Sequence, residues 1–177
     1  MGRVLYKEEQ KFGSISLYLA MGLIYTGVVA LATYAAIKQF MYNEQWSSKP
    51  MSDNSLILML VLMLVILVGA WLLLFGSKLI IKIEQNKIVY SFPPFINKEL
   101  LIEASQIESY RLRKYQPIKE YGGWGIRKSN KKYGDAFNVK GSIGLQLVLK
   151  NKKRLLFGTQ RPEAIKTAMN RMMGSGI

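Results

Sequence analysis

The chain of 177 residues contains no cysteine and no histidine. The absence of cysteine excludes disulfides, thiolate catalysis and cysteine-ligated metal sites. The absence of histidine removes the commonest general base and the commonest transition-metal ligand. The carboxylates are scattered, and no serine lies in a Gly-x-Ser-x-Gly turn, so the sequence contains no recognisable catalytic constellation. We therefore predict a protein that is not an enzyme and that holds no cofactor and no metal.

Charge is also missing from two long segments. Ser55–Phe75 has 21 uncharged residues, and a helix of this length covers the hydrocarbon thickness of a bilayer. Ser14–Ile37 is uncharged too, although it contains glycine, threonine and tyrosine. We predict transmembrane helices at residues 14–38 and 55–76, joined by an exterior loop at residues 39–54. The alternative for the first segment is a cleaved signal peptide, but its apolar region is long and its leader is partly acidic.

The flanking cations predict the orientation of these helices. Six lie beyond the outer ends of the two segments, and two lie in the connecting segment. The outer six are Arg3, Lys7, Lys11, Lys78, Lys82 and Lys87, and the other two are Lys38 and Lys49. The positive-inside rule then predicts an N-terminal cytoplasmic segment at residues 1–13 and a cytoplasmic domain at residues 77–177.

The residue periodicity changes abruptly after Phe75. Leu79, Ile81 and Ile83 alternate with other residues, as is typical of a half-buried strand. The same reasoning predicts seven short strands: 78–84, 88–92, 98–102, 107–114, 135–140, 143–150 and 154–157. Apolar residues at helical spacing after Thr159 predict one C-terminal amphipathic helix. The sequence therefore predicts an α+β fold.

Three parts of this pattern carry a resemblance to a known family. They are the hairpin Leu79–Phe92, the motif Tyr-Gly-Gly-Trp-Gly-Ile-Arg at Tyr121–Arg127, and the run from Gly144–Leu149 through Gly158-Thr-Gln-Arg-Pro-Glu163 into the helix. In these parts the chain resembles small bacterial proteins in which two transmembrane helices precede a pleckstrin-homology-like (PH-like) domain, a family of unknown function. The resemblance implies a seven-stranded PH-like barrel capped by a C-terminal helix, in the bacterial inner membrane.

The predicted domain is strongly basic. Lys78–Ile177 contains 20 Lys plus Arg and seven acidic residues, which leaves +13 of the chain's +14. The candidate contact residues are Arg111, Arg113, Lys114, Lys119, Tyr121, Trp124, Arg127, Lys128, Lys131 and Lys132. Beside a membrane, such a set favours anionic lipid headgroups or an acidic protein partner over nucleic acid. The alternative is a charged face that is merely solvated.

Two further motifs each have a structural alternative. Trp124 lies among three glycines, where it either contacts lipid or seals one end of the barrel. Gly22, Thr26 and Ala30 are spaced four residues apart, which lets helices approach closely. The default expectation for this stripe is packing between the two predicted transmembrane helices, and packing between two copies of the chain is the alternative.

We therefore predict a non-catalytic, membrane-anchored scaffold or interaction module that engages anionic lipid headgroups. Protein docking within a membrane complex, without lipid specificity, is the alternative, and an enzyme or a transport accessory is the third hypothesis. No ionisable group lies inside either uncharged segment, which argues against ion transport.

The uncharged segments generate a first prediction. We expect the full-length chain to sediment with membranes after an alkaline wash and to require detergent for extraction, because about 20 apolar residues are enough to span a bilayer. Fractionation and immunoblotting measure this directly. A full-length chain that is freely soluble in water would contradict the prediction.

Overall fold

A computed structural model describes residues 3–13, 15–44, 46, 51–128 and 132–174, with only the backbone at Ser16. The chain divides into two compact units. The helical unit comprises Gly13–Phe75. The sheet unit combines Met1–Phe12 with Gly76–Ile177.

The helical unit contains two long helices where the sequence predicts them. Helix α1 is Ile15–Ala36 and continues into a π-helical turn at Ile37–Met41, and helix α2 is Asp53–Gly76. Within them, Leu17–Met41 and Asp53–Gly76 have mean hydropathies of 1.7 and 3.1. Both helices are long and apolar enough to span a membrane.

Helices α1 and α2 pack side by side in an antiparallel arrangement. Tyr18 stacks on Phe75 with ring centroids 4.7 Å apart, and the Tyr25 hydroxyl donates to the carbonyl of Leu67. At the other end of the pair, Gln39 Nε2 donates to Asp53 Oδ1 at 2.7 Å. Most of the less exposed residues of α1 recur at spacings of three and four, which is the usual pattern of a helix–helix contact. Among them are Met21, Tyr25, Val28, Ala32 and Ala35.

The small-residue stripe lies outside this contact. Gly22, Thr26 and Ala30 are all exposed in the helical unit. A Cβ atom added at Gly22 would meet no atom within 4 Å. The stripe therefore does not join α1 to α2, and its packing against a second copy of the chain stays a prediction.

The described residues of the sheet unit form nine strands in two sheets. The first sheet has the order β1-β2-β3-β4, with all neighbours antiparallel. Its strands are Val4–Lys11, Lys78–Glu84, Lys87–Phe92 and Ile96–Glu103. The second sheet has the order β5-β8-β9-β7-β6, in which β7 and β9 are parallel. Strands β5 to β9 are Ile107–Lys114, Gly125–Arg127, Asp135–Asn138, Ile143–Leu149 and Arg154–Gly158.

Three helical elements accompany these strands in the part of the sheet unit that the structure describes. A 3₁₀ turn at Ala104–Gln106 joins β4 to β5 and so connects the two sheets. Helix α3 is Pro117–Tyr121, and helix α4 is Pro162–Gly174. Helix α4 is the predicted C-terminal helix, and its buried face consists of Ile165, Ala168, Met169 and Met172.

The α+β class is confirmed, but the predicted closed barrel of seven strands is not what the structure shows. Within the described residues the strands form two sheets that do not close on each other. The two unpredicted strands are β1 and β6. Strand β1 lacks an apolar alternation, because its buried positions are Tyr6, Glu8 and Gln10. Strand β6 has only three residues and begins with a glycine, so it has no periodicity to detect.

One hydrophobic core joins both sheets and α4. The predicted inward positions Leu79, Ile81 and Ile83 are fully buried in it. Phe157 from β9 and Met169 from α4 are fully buried in the same cluster. The period-two prediction for β2 is therefore confirmed.

The structure places β1 in the first sheet, beside the strand that follows the helical unit. Lys11 at the end of β1 pairs with Lys78 at the start of β2. The helical unit is consequently an insertion between two neighbouring antiparallel strands. Strand β1 thus lies within residues 1–13, for which the sequence predicts a separate cytoplasmic segment.

Buried polar contacts hold β1 against the start of α4. Glu8 is only 6% exposed. Its carboxylate accepts hydrogen bonds from the Thr159 hydroxyl at 2.8 Å, from the Gln160 backbone N–H at 2.8 Å and from the Tyr6 hydroxyl. Burial and then the hydrogen bond to Glu8 raise the pKa of the Tyr6 hydroxyl. The Glu8 carboxylate therefore accepts three hydrogen bonds at the junction of the first strand and the last helix.

These contacts predict a strong effect of Glu8→Leu. The substitution removes the acceptor for two buried hydroxyl donors and one part-buried N–H donor, so we expect a loss of about 2–3 kcal/mol in the free energy of unfolding. Denaturant unfolding followed by circular dichroism measures the loss. The matched control is Glu9→Gln, because Glu9 forms partly exposed ion pairs with Lys78 at 3.3 Å and Lys11 at 3.8 Å, which contribute about 0.5 kcal/mol. Equal losses in the two variants would contradict the role assigned to Glu8.

Candidate functional site

The outer face of strand β5 presents three polar side chains. Tyr110 and Leu112 pack against the core, so the alternating residues Ser109, Arg111 and Arg113 lie on the opposite face. The strand register continues this polar face from β5 onto the neighbouring strands β8 and β9. Arg111 is opposite Gln146 in β8, and Val148 of β8 is opposite Arg154 in β9.

These side chains line a basic cavity of about 440 Å³. The loop that precedes β7 supplies the remaining residues of the lining. The complete lining is Ser109, Arg111, Arg113, Lys132, Tyr133, Gln146, Val148 and Arg154. Four of these residues are cationic, and none is a carboxylate.

Arg113 is held rigidly at one side of the basic cavity. Its Nη1 lies 2.7 Å from Glu120 Oε2, its Nη2 donates to the Tyr121 hydroxyl at 3.0 Å, and its Nε donates to Gln146 Oε1 at 3.1 Å. The side chains of Arg113 and Glu120 are 17% and 14% exposed. Burial raises the pKa of the Tyr121 hydroxyl, and the charge of Arg113 opposes that rise. The charge of Arg113 is therefore already paired.

Helix α3 and the loop before β7 position the groups that contact Arg113 and Arg154. Helix α3 has proline at its first position and is capped at its C-terminal end by Gly122, whose φ of 72° is the left-handed conformation that favours glycine. Gly134 has a φ of 79°, and a Cβ atom there would lie 2.1 Å from the backbone oxygen of Arg154. Glycine at this position lets the loop approach β9, where Arg154 Nη1 donates to the carbonyl of Lys132 at 2.6 Å.

Arg111 differs from the other cations of the cavity. Its side chain is exposed, and in the described part of the chain it forms no hydrogen bond, ion pair or ring contact. Lys132 lies 5.2 Å from the centre of the Tyr133 ring. An anion in the cavity would meet the guanidinium of Arg111, the ammonium of Lys132 and the hydroxyl of Ser109. Planar guanidinium groups suit phosphate and carboxylate oxygens, so the cavity is chemically suited to a phosphate-bearing ligand.

The structure separates the predicted contact residues into two groups. Arg111, Arg113 and Lys132 line the basic cavity, and Tyr121 is buried behind it as a partner of Arg113. Lys131 lies outside the described residues. Those outside the lining of the cavity are Lys114, Lys119, Trp124, Arg127 and Lys128.

The glycine-rich motif is mainly engaged in local contacts. Trp124 Nε1 donates to the carbonyl of Gly141 at 3.2 Å, and Arg127 Nε donates to the carbonyl of Trp124 at 2.9 Å. The Gly125 N–H donates to Asn138 Oδ1 at 2.9 Å. Trp124 is nevertheless 39% exposed, so part of the ring remains available for contact.

Five residues of the cavity lining are not among the predicted contact residues: Ser109, Tyr133, Gln146, Val148 and Arg154. Ser109 was detectable, because it shares the alternation of Arg111 and Arg113. Gln146 and Arg154 were not, since only the register of β5, β8 and β9 brings them to this face.

The described residues contain no cluster of three or more acidic side chains that is placed to hold a metal ion. No protein-family model and no curated protein matches the chain. The resemblance to PH-like membrane proteins therefore stays a prediction.

The contacts of Arg113 and Arg111 predict effects of very different size on stability when each is substituted. Arg113→Gln leaves the carboxylate of Glu120 without its cation, and we expect a loss of about 3 kcal/mol in the free energy of unfolding. Arg111→Gln removes no contact of the described structure, so the expected change is within about 0.5 kcal/mol. Denaturant unfolding of the two variants measures the difference. A large loss for Arg111→Gln would show that this side chain is structural.

Proposed function

We propose that this chain is a non-catalytic interaction module, anchored in a membrane, whose basic cavity binds the phosphate groups of anionic lipids. The observation that carries the proposal is the group of four cations around one concave site with no carboxylate in its lining. One of these four cations, Arg113, is paired with the carboxylate of Glu120. The attraction of a cation to an anionic bilayer surface is about 1 kcal/mol for each Lys or Arg.

The surface of the helical unit supports anchoring in a membrane. Helix α2 exposes more than half of several large apolar side chains, among them Leu58, Leu62, Ile66 and Leu72. Such a continuous apolar surface is unfavourable in water and favourable in a hydrocarbon environment. A helix also satisfies its own backbone hydrogen bonds, as that environment requires.

The pairing of β1 with β2 supports the proposed topology. The two strands flank the helical unit in sequence and pair with each other, so both must lie on the same side of a membrane that α1 and α2 cross. The distribution of Lys and Arg favours the cytoplasmic side. We accordingly propose a bacterial inner-membrane location with both termini in the cytoplasm.

A PH-like fold is part of the proposal. It is supported by a four-stranded antiparallel sheet, a second sheet and a C-terminal helix that packs into their common core. The extra strand β1 and the parallel pairing of β7 with β9 are departures from the predicted seven-stranded barrel.

Protein docking is the second candidate function. It is favoured by strand β4, which forms one edge of the first sheet and exposes 57% of Leu101 and 39% of Leu100. An edge strand offers backbone donors and acceptors to a partner strand.

Binding of a soluble anionic lipid to the full-length chain in neutral detergent tests the first candidate. We expect dihexanoyl phosphatidic acid to raise the midpoint of thermal unfolding by at least about 2 °C, and dihexanoyl phosphatidylcholine to leave it unchanged. Arg111→Gln should remove most of this shift, because the Arg111 side chain has no other partner among the described residues. Added salt should weaken the shift in the unsubstituted chain.

The matched control is Lys119→Gln. Lys119 is exposed and belongs to the predicted contact residues, but it does not line the basic cavity. The Lys119→Gln variant should therefore keep the full rise in unfolding midpoint with dihexanoyl phosphatidic acid. An absent shift in the unsubstituted chain, or equal losses in both variants, would overturn the assignment of lipid binding to the cavity.

A further inference from the structure

We infer that the turn Pro93–Phe95, between β3 and β4, is a second contact site for the membrane, at which the Phe95 ring enters the headgroup region. The inference rests on the membrane anchoring of the proposed function, but it does not depend on the basic cavity. Phe95 is 60% exposed. It is the most exposed aromatic side chain among the described residues of the sheet unit.

The position of the turn in the first sheet is the first argument. The Lys78 N–H donates to the carbonyl of Pro93 at 3.0 Å, and Lys78 also pairs with Lys11. The turn therefore lies at the end of the sheet where β1 ends and β2 begins. This is the end through which the chain passes to and from the helical unit.

The covalent connections are the second argument. Helix α2 ends at Gly76, two residues before Lys78, and α1 begins at Ile15, four residues after Lys11. An extended chain covers at most about 3.6 Å per residue, so these connections reach only about 7 Å and 14 Å. When α1 and α2 cross a bilayer, this end of the sheet is held close to the bilayer surface.

The chemistry of the turn is the third argument. Two consecutive prolines restrict the backbone before Phe95, so the ring is presented with little freedom to lose on binding. Lys78 and Lys11 lie at the same end, and Lys98 is exposed near the start of β4. An aromatic ring flanked by lysines suits the headgroup region of a bilayer. Aromatic rings are favoured at that depth, and the ammonium groups of lysine can contact lipid phosphates there.

The absence of cysteine from the chain allows a direct test with single-cysteine variants. The full-length chain is reconstituted in phosphatidylcholine vesicles and labelled with an environment-sensitive fluorophore at Phe95→Cys, Gln85→Cys or Leu64→Cys. Gln85 lies in the turn between β2 and β3, at the opposite end of the first sheet, and Leu64 is an exposed residue of α2. Lipids that carry a spin label at a shallow or a deep position then quench the fluorophore.

We expect the label at position 95 to be quenched by the shallow spin label several-fold more than the label at position 85. The label at position 64 should be quenched by the deep spin label. Deep quenching at position 64 with equal weak quenching at positions 95 and 85 would overturn the inference and leave membrane anchoring intact. Weak quenching at all three positions would overturn membrane anchoring itself, and the inference with it.

A second pair of variants tests the Phe95 ring itself. A label at Asn97→Cys reports on the turn while Phe95 is retained. Adding Phe95→Asp should lower the shallow quenching of this label, because a carboxylate does not enter the headgroup boundary. Leu101→Asp is the matched control, since Leu101 is similarly exposed but lies further along β4, opposite Val89. Equal quenching of the label at position 97 with no further substitution, with Phe95→Asp and with Leu101→Asp would overturn the role of the ring.

Discussion

The pairing of β1 with β2 is the constraint on which the arrangement of the sheet unit depends. These strands are separated in sequence by the entire helical unit, yet Lys11 and Lys78 are partners in one antiparallel ladder. The pairing covers the edge of β2, and β1 becomes the outermost strand of the first sheet. It also brings Glu8 and Gln10 to the end of β9 and the start of α4, where their side chains are buried and hydrogen-bonded. The first and last elements of the sheet unit are therefore joined by polar contacts as well as by the common core.

The charges of the sheet unit have different physical roles, although they look alike in the sequence. Arg113 is largely buried and paired, so most of its interaction energy is used within the fold. Arg154 donates to a backbone carbonyl and helps to hold the loop before β7. Arg111 has none of these contacts in the described structure. The ability of the basic cavity to attract an anion therefore depends on the cations whose charge the fold leaves uncompensated.

Much of the fold could be predicted from local patterns. Leu79, Ile81 and Ile83 showed the strand alternation, and the amphipathic spacing after Thr159 identified the last helix. Strand β1 could not be found in this way, because its inward side is occupied by Tyr6, Glu8 and Gln10. Such polar residues become acceptable in a protein interior only when distant partners satisfy them, and a local pattern contains no information on those partners.

The candidate site shows the same division. Alternation along β5 was enough to place Arg111 and Arg113 on one face, and the glycine-rich motif identified a structured loop. Gln146 and Arg154 join that face through strand register alone. The sequence by itself determined which segments are apolar, which alternate and where positive charge accumulates, since these properties depend on residues close together in the chain. Only the tertiary structure decided which cations are paired and which share a cavity, because those relations arise from contacts between residues far apart in sequence.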